Sequence, residues 1–477
     1  MDFVSPILHA FFVLTLAYYV MSALQWYSYK IERVVFHYHR YDWHLIYLLI
    51  PMIGFYLIPT PWVFGWYVLY AVILFFWARK LDKALIFTPR VKRFFLFLVL
   101  ALLFQALLCS AVFVCQKSGV IIPIVLAHLF SLIFEKIAFE GFKKEAKRKL
   151  FQCSHTKIIA ITASYGKTSI KNFLAQILSH TYTVYATPRS VNTLGGIVKD
   201  INENLPLKSD IYIVEAGARQ KGDIDEIARF INPHVCIVGS IGEQHIEYFK
   251  TLETIRNTKM ELLNSKRLEK AFVHVSACVK PNDTLQLFGD DIEMIEATLD
   301  GTAFTMRING VNERFTCKLL GDFNTINIVA CIHVALYLGI SLEAIKKAVE
   351  TLKGVPHRLQ KIEAGGKVII DDSFNGNLEG MLSSYALVES YKGRKVIVTP
   401  GIIESTQEAN ETLACAINAI FDLVILTGKT NVSLLDSLIK RPEKLILHDK
   451  AGLQALLAEH THKGDVILFS NDAPSFV

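Results

Sequence analysis

The sequence predicts an α/β protein that carries a helical transmembrane region at its N-terminus. Three observations predict it. Apolar runs crowd the chain before residue 140, and short strand-like runs alternate with helical stretches after residue 150. A Gly166-Lys167-Thr168 turn joins the first of those strands to the first of those helices. At 477 residues there is room for two or three domains. The expected partition is a membrane region over residues 1–142, a central α/β domain over 150–358 and a second α/β domain over 362–477.

The membrane region rests on hydropathy and charge. Hydrophobic residues make up 52% of the chain and the mean hydropathy is +0.35, with the excess almost wholly before residue 140. Five apolar runs can be drawn: about Phe3–Leu24, Leu45–Ile58, Trp62–Ala78, Phe94–Val114 and Val120–Ala138. A helix that crosses a bilayer needs roughly 20 apolar residues, with about 17 a practical minimum. The first and fourth runs meet this, the third and fifth come close, and the second is short. Pro59-Thr60-Pro61 joins the second and third as a tight helical hairpin.

Basic residues follow the first run (Lys30, Arg33, Arg40), the third (Arg79, Lys80, Lys83, Arg90, Lys92, Arg93) and the fifth (Lys136, Lys143, Lys144, Lys147, Arg148, Lys149). The other links are nearly uncharged, with Lys117 alone between the fourth and fifth runs. The positive-inside rule makes the basic links cytoplasmic. Five crossings then leave the N-terminus outside and everything after Lys143 in the cytoplasm. The first run lacks a basic leader and a small-residue cleavage site, so a removed signal peptide is not expected. The net charge of +6 fits basic residues beside anionic inner-leaflet lipid and needs no nucleic acid. Eight cysteines show no metal-ligand or CxxC spacing, and the six outside the apolar runs are expected as free thiols.

After residue 150, strand-like runs recur at Ile158–Thr162, Ile211–Glu215, Val235–Val238 and Ala271–Val275, with helical stretches between. Alternation of that kind gives a mostly parallel sheet. Glu215 stands at the carboxyl end of its strand, where such sheets bind ligands. A β-rich interval over about Ala303–Leu320 and a helix through Val329–Leu338 follow. A second series then begins: Lys367–Asp371, Lys395–Thr399, Leu423–Thr427, Leu445–Leu447 and Val466–Phe469.

The Gly166-Lys167-Thr168 turn carries the chemistry. A strand that feeds a helix through such a turn aims backbone N–H groups and the positive helix end at one spot, which suits phosphate. Lys167 would reach the outer phosphates and the Thr168 hydroxyl would ligate magnesium. An ordinary βα turn with a solvated lysine is the alternative. The complete phosphate-loop pattern has a glycine five residues before Gly166, and Ile161 stands there.

Further motifs follow in order: "EAGARQKGDIDEIA" from Glu215, "GEQHIEYFKTLETIRNTKMELL" from Gly242, "LLGDFNTINIVAC" from Leu319, "GVPHRLQ" from Gly354 and "IIDDSFNGN" from Ile369. With the phosphate loop, that order and spacing over about Lys157–Tyr385 resembles the Mur ligase family of ATP-dependent peptidoglycan-precursor ligases. The resemblance implies a central P-loop ATPase-like parallel-sheet domain and a C-terminal Rossmann-like α/β domain. It also implies ATP and Mg2+, with D-alanyl-D-alanine joined to a UDP-linked muramoyl tripeptide. By the same resemblance Ser164, Gly166, Lys167, Thr168 and Ser169 form the phosphate loop. Glu215 and His245 match metal-ligating positions, and Lys259 matches a lysine that becomes carbamylated and serves a second magnesium. Asn324 matches an adenine contact, Arg358 a phosphate contact, and Asp372 with Asn375 a loop near the ribose.

The chain departs from the family at four places. Apolar runs occupy the space of the usual uridine-nucleotide domain. Ala163 and His357 replace glycines, and Asn192-Thr193 replaces a pair of asparagines. The C-terminal landmarks give way to "TPGIIEST" from Thr399 and "FSNDAPSFV" at the end. Membrane lipid and other wall-synthesis enzymes are the further partners expected. Two rival readings remain at this level: the same chemistry on a lipid-linked carboxylate, and a non-catalytic membrane scaffold.

Overall fold

The computed structural model describes the chain except residues 1–3, 28, 30, 37–40, 82–83, 113–118, 244–245, 375, 377, 403–405, 429–430, 448–449 and 472–477. It divides into two compact units, Met1–Gly141 and Phe142–Val477.

The first unit is helical. Among the described residues, four helices that begin in it are long and apolar enough to cross a membrane: Ile7–Trp26, Trp62–Arg79, Pro89–Ala111 and Ile121–Gln152. The expected second run instead forms helical turns from Tyr41 to Leu57 through a π-helical stretch at Leu45–Leu49. Seventeen residues reach about 25 Å at 1.5 Å per residue, short of a ~30 Å hydrocarbon core. A fifth crossing therefore does not have the length of the other four. Chain direction reverses as expected at Ile58 and Pro59, both extended, and the next helix begins at Thr60. Inside the unit, Phe12 stacks on Tyr67 and Phe55 with centroids 4.7 and 5.5 Å apart. The Tyr19 hydroxyl meets His44 Nδ1 at 2.8 Å. Outward faces carry bare apolar chains such as Leu103, Leu107 and Ile133. Apolar surface faces out, which suits helices with lipid as their solvent.

The second unit holds fifteen strands among the described residues. They are β1 (Lys157–Thr162), β2 (Val184–Ala186), β3 (Ile211–Glu215), β4 (Val235–Val238), β5 (Lys270–His274), β6 (Leu285–Phe288), β7 (Ile292–Thr298), β8 (Gly301–Ile308) and β9 (Val311–Cys317). The series continues with β10 (Gln360–Ala364), β11 (Lys367–Asp372), β12 (Lys395–Thr399), β13 (Leu423–Thr427), β14 (Glu443–Leu447) and β15 (Val466–Ser470). The first six form a parallel sheet in the order β2-β3-β1-β4-β5-β6. Strands β1, β3 and β4 are buried almost throughout, as strands covered on both faces must be, which is why they read as continuous apolar runs. The chain leaves β1 toward β3 and β2, then returns across β1 to β4. That reversal opens a crevice at the carboxyl ends of β1, β3 and β4, where ligands bind in such sheets.

Strands β7–β9 form a separate antiparallel sheet. The last six strands run in the order β10-β11-β15-β12-β13-β14, parallel except for β10, which pairs antiparallel with β11. The helix Lys167–Leu178 packs Ile170, Phe173, Leu174 and Ile177 into the core under the first sheet, beside the helix Phe323–Tyr337. The six cysteines described in this unit are free thiols.

Candidate active site

The crevice is built on the turn after β1. Gly166 caps the helix Lys167–Leu178 with φ +78°, a left-handed conformation that glycine adopts freely. A β-carbon there would lie 2.2 Å from Asn327 Oδ1, so both backbone and space require glycine. Ser164 is fully buried and ties the turn to the segment after β4. Its N–H donates to the Ser240 carbonyl at 2.8 Å and its hydroxyl to the Gly242 carbonyl at 3.0 Å. Ser169 is buried in the helix's first turn.

Ala163, in place of a family glycine, finds its room in the opposite strand's exit. A β-carbon on Gly239 would come within 2.9 Å of the Ala163 methyl and 3.0 Å of Ile170 Cδ1. Gly239→Ala should therefore lower stability by about 1–3 kcal/mol through overpacking, measured as a fall in melting temperature of the full chain. A melting temperature equal to that of the unaltered chain would show that the neighbours yield freely.

Charges converge around Glu215, which is fully buried at the end of β3. Its Oε2 accepts from the Thr168 hydroxyl at 3.3 Å, and its Oε1 lies 3.0 Å from Lys171 Nζ. Lys167 Nζ folds back on the Ala163 and Ser164 carbonyls at 2.7 and 3.1 Å. Burial pushes Lys167 down to about 8, with Glu215 pulling it up and Arg358 pushing it further down. Lys259, 3% exposed on the helix Leu252–Met260, is held well below the ordinary lysine range by burial and then by Lys167. Burial also lowers Arg358, against the pull of Glu215 and Asp372. Lys167, Lys171 and Arg358 thus gather around the buried Glu215, with Lys259 beside Lys167, and such a gathering suits anionic ligands.

Magnesium would take hard oxygen donors at about 2.1 Å in octahedral geometry, so adjacent ligand oxygens would sit about 3 Å apart. The 3.3 Å between Thr168 Oγ1 and Glu215 Oε2 fits one such edge. Among the described residues no three His, Cys, Asp or Glu side chains cluster as a metal site, so the fit rests on these oxygens and on Lys259. His245 and Asn375 lie outside the described residues.

The nucleoside-side residues are placed less simply. Asn324 is buried and its amide nitrogen donates to the Leu320 carbonyl at 2.7 Å. It is not the helix cap; the Asp322 side chain takes that place by accepting from Phe323 N–H at 2.7 Å. Asn327, one turn on, is the amide that packs against Gly166. Asp372 is buried, and its Oδ1 accepts the Leu359 N–H at 3.1 Å, which fixes the backbone beside Arg358. His357 keeps a glycine-like φ of +63° and is held there by Asp371, at 2.7 Å from its Nδ1, and by an edge-on contact with Phe374.

Sequence reading passed over Lys171. It sits one helical turn beyond Lys167, beside Ile170 and Leu174, and is 2% exposed. A lysine between two buried apolar positions of one helix was the available signal.

The Mur ligase middle domain family matches residues 161–335. The UDP-N-acetylmuramoyl-tripeptide–D-alanyl-D-alanine ligase of Bacillus subtilis (strain 168) is 28% identical over 335 residues, which are 66% of this chain and 72% of that protein. The protein of the same name from Escherichia coli (strain K12) is 27% identical over 298 residues, 57% of this chain and 65% of its own length. Of solved structures, the MurF ligase of Thermotoga maritima in complex with ADP superposes with a TM-score of 0.60 at 24% identity, covering 70% of this chain and 80% of that one. MurF from Acinetobacter baumannii gives 0.62 at 23% identity, covering 69% of this chain and 77% of that one. At those identities the structural likeness is one of fold. Residues 161–335, the segment that builds most of the crevice, are thus similar to the Mur ligase middle domain.

Proposed function

We propose that this chain is a membrane-anchored ligase that joins D-alanyl-D-alanine to a UDP-linked muramoyl tripeptide in peptidoglycan synthesis, converting ATP to ADP and phosphate. One observation carries the reading: Lys167 with Thr168, Glu215, Lys259 and Arg358 come from four separate segments and lie close enough to influence one another.

Amide formation from a carboxylate in water is uphill, so the carboxylate must first be activated. Its oxygen attacks the γ-phosphorus of ATP, ADP leaves, and an acyl phosphate forms. The amine of the acceptor then attacks the acyl carbon and phosphate leaves with the former C–O bond electrons. Such phosphoryl transfer depends on positioning and on neutralising charge. In this reading Lys167 and the loop Ser164–Ser169 hold the outer phosphates, and Arg358 reaches them from the segment before β10. Thr168, Glu215, His245 and carbamylated Lys259 would hold magnesium, which neutralises phosphate charge when bound. Asn324, Asp372 and Asn375 are assigned to the nucleoside end. Glu215, Lys259 and Asp372 are buried, and a site that keeps water away protects the acyl phosphate from hydrolysis.

The test uses the full chain in detergent with ATP and magnesium. Phosphate release should require both UDP-muramoyl tripeptide and D-alanyl-D-alanine. Release that fails with this pair but proceeds with a membrane-extracted carboxylate would move the reading to a lipid-linked substrate, which the helical unit favours as the second possibility. No release with either would leave the scaffold.

The location proposed is the bacterial inner membrane, with the second unit in the cytoplasm beside the anionic leaflet. Tethering there raises the local supply of product for membrane-bound steps of wall synthesis. Reporter fusions after Lys117 and after Lys149 should report opposite sides of the membrane. If both report the cytoplasm, the orientation is wrong.

A further inference from the structure

We propose that Lys171 is a positioning residue that fixes which oxygen of Glu215 faces the metal and couples that choice to the segment between β2 and the helix Leu194–Asn204. The inference rests on the reading of Thr168 and Glu215 as magnesium ligands.

The two Glu215 oxygens have different neighbours. Oε1 lies 3.0 Å from Lys171 Nζ, whereas Oε2 lies beside the Thr168 hydroxyl at 3.3 Å. Both partners come from one helix, three residues apart, so they approach the carboxylate from the same surface and divide its oxygens between them. With Lys171 on Oε1, the carboxylate cannot rotate without breaking a buried ion pair, and Oε2 stays on the phosphate-loop side. Lys171 also donates to the Arg189 carbonyl. Arg189 has φ +49°, a left-handed backbone that this bond helps to hold.

The same segment returns to Glu215 by a second route. The Gly217 N–H donates to the Asn192 carbonyl at 2.8 Å, and a β-carbon on Gly217 would lie 2.8 Å from Asn192 Cγ. Lys171, Glu215, Gly217, Asn192 and Arg189 therefore close a ring. Movement of the 189–192 segment is transmitted to Lys171 and so to the carboxylate. A lysine here costs desolvation that a methionine would not, and a core role alone does not require the charge.

The experiment compares the unaltered full chain with Lys171→Met and Lys171→Gln, both in detergent. Manganese is titrated by electron paramagnetic resonance at saturating ADP, and ADP binding is measured separately in EDTA. Loss of a group that orients a ligand weakens metal binding by about 10–100-fold. The expected result is that loss for manganese, with ADP binding in EDTA within about twofold of the unaltered chain. Lys171→Gln keeps a donor for Arg189 and serves where Lys171→Met does not fold. A folded variant that binds manganese as tightly as the unaltered chain overturns the positioning role and leaves the ligase reading standing. An unaltered chain that binds no manganese with ADP overturns the reading and the inference together.

Discussion

Lys167→Ala should lower ligation by about 10²–10³-fold, the usual loss when one preorganised donor is removed from a developing charge. It should do so without lowering the melting temperature. The half-buried Lys167 ammonium is pushed down to about 8 by desolvation, and its hydrogen bonds include those to the carbonyls of its own turn, Ala163 and Ser164. Those bonds hold the charge in a place where phosphate oxygens would serve it better. Alanine relieves the desolvation and leaves the two carbonyls to water or to the helix end, so the folded state loses little. Rate of ADP release and thermal unfolding are the two measurements. A well-folded variant with near-normal turnover would detach this loop from ATP.

Much of the second unit was legible because its strands are buried on both faces. The runs at Ile211–Glu215, Val235–Val238, Lys395–Thr399 and Leu423–Thr427 coincide with β3, β4, β12 and β13. What escaped notice has a physical cause in each case. Strand β10 reads Gln-Lys-Ile-Glu-Ala and lies at a sheet edge with two of its five residues exposed and none buried, so it lacks an apolar run. Strand β2 has only three residues. The helix predicted through Val329–Leu338 begins at Phe323, because its first turns bury Asn324, Thr325 and Asn327 instead of apolar residues. Polar residues packed beside the Gly166 turn break the very periodicity that marks a helix.

The site was legible in part for a related reason. Residues at the ends of strands and in a glycine turn announce themselves through local pattern, as Gly166, Lys167 and Glu215 do. Contacts made across the fold do not. The turn that replaces a family landmark after β12 is held by three asparagines: Asn410 brackets Ile402, Asn431 donates to the Pro400 carbonyl and Asn471 to the Gly401 carbonyl. The last two stand 31 and 70 residues away from the carbonyls they hold, and no spacing rule links them. Lys171 escaped similarly, since its partners Glu215 and Arg189 are brought together only by the sheet.

Lys259→Ala should be nearly inactive, with a loss of about 10²–10³-fold if it removes a ligand worth several kcal/mol to a phosphate-bound magnesium. Short carboxylic acids such as acetate should partly restore the rate. The chemistry follows from its burial. A lysine 3% exposed and close to the charge of Lys167 is held well below its ordinary range, which favours the neutral, nucleophilic amine. On the proposed reading that amine would add to carbon dioxide, forming an N–C bond and releasing a proton, and would become an anionic carbamate. The change answers the local excess of positive charge around Glu215, which a plain ammonium would worsen. An added carboxylate can occupy the vacated position in the alanine variant, whereas it cannot help a chain whose helix has merely collapsed. Labelled carbon dioxide gives an independent reading, since a carbamate carbon should be visible by NMR in the unaltered chain and absent from the variant. A variant with normal turnover, or an unaltered chain with no carbamate signal when nucleotide is bound, would return Lys259 to a plain buried amine and leave Thr168, Glu215 and His245 to hold the metal alone.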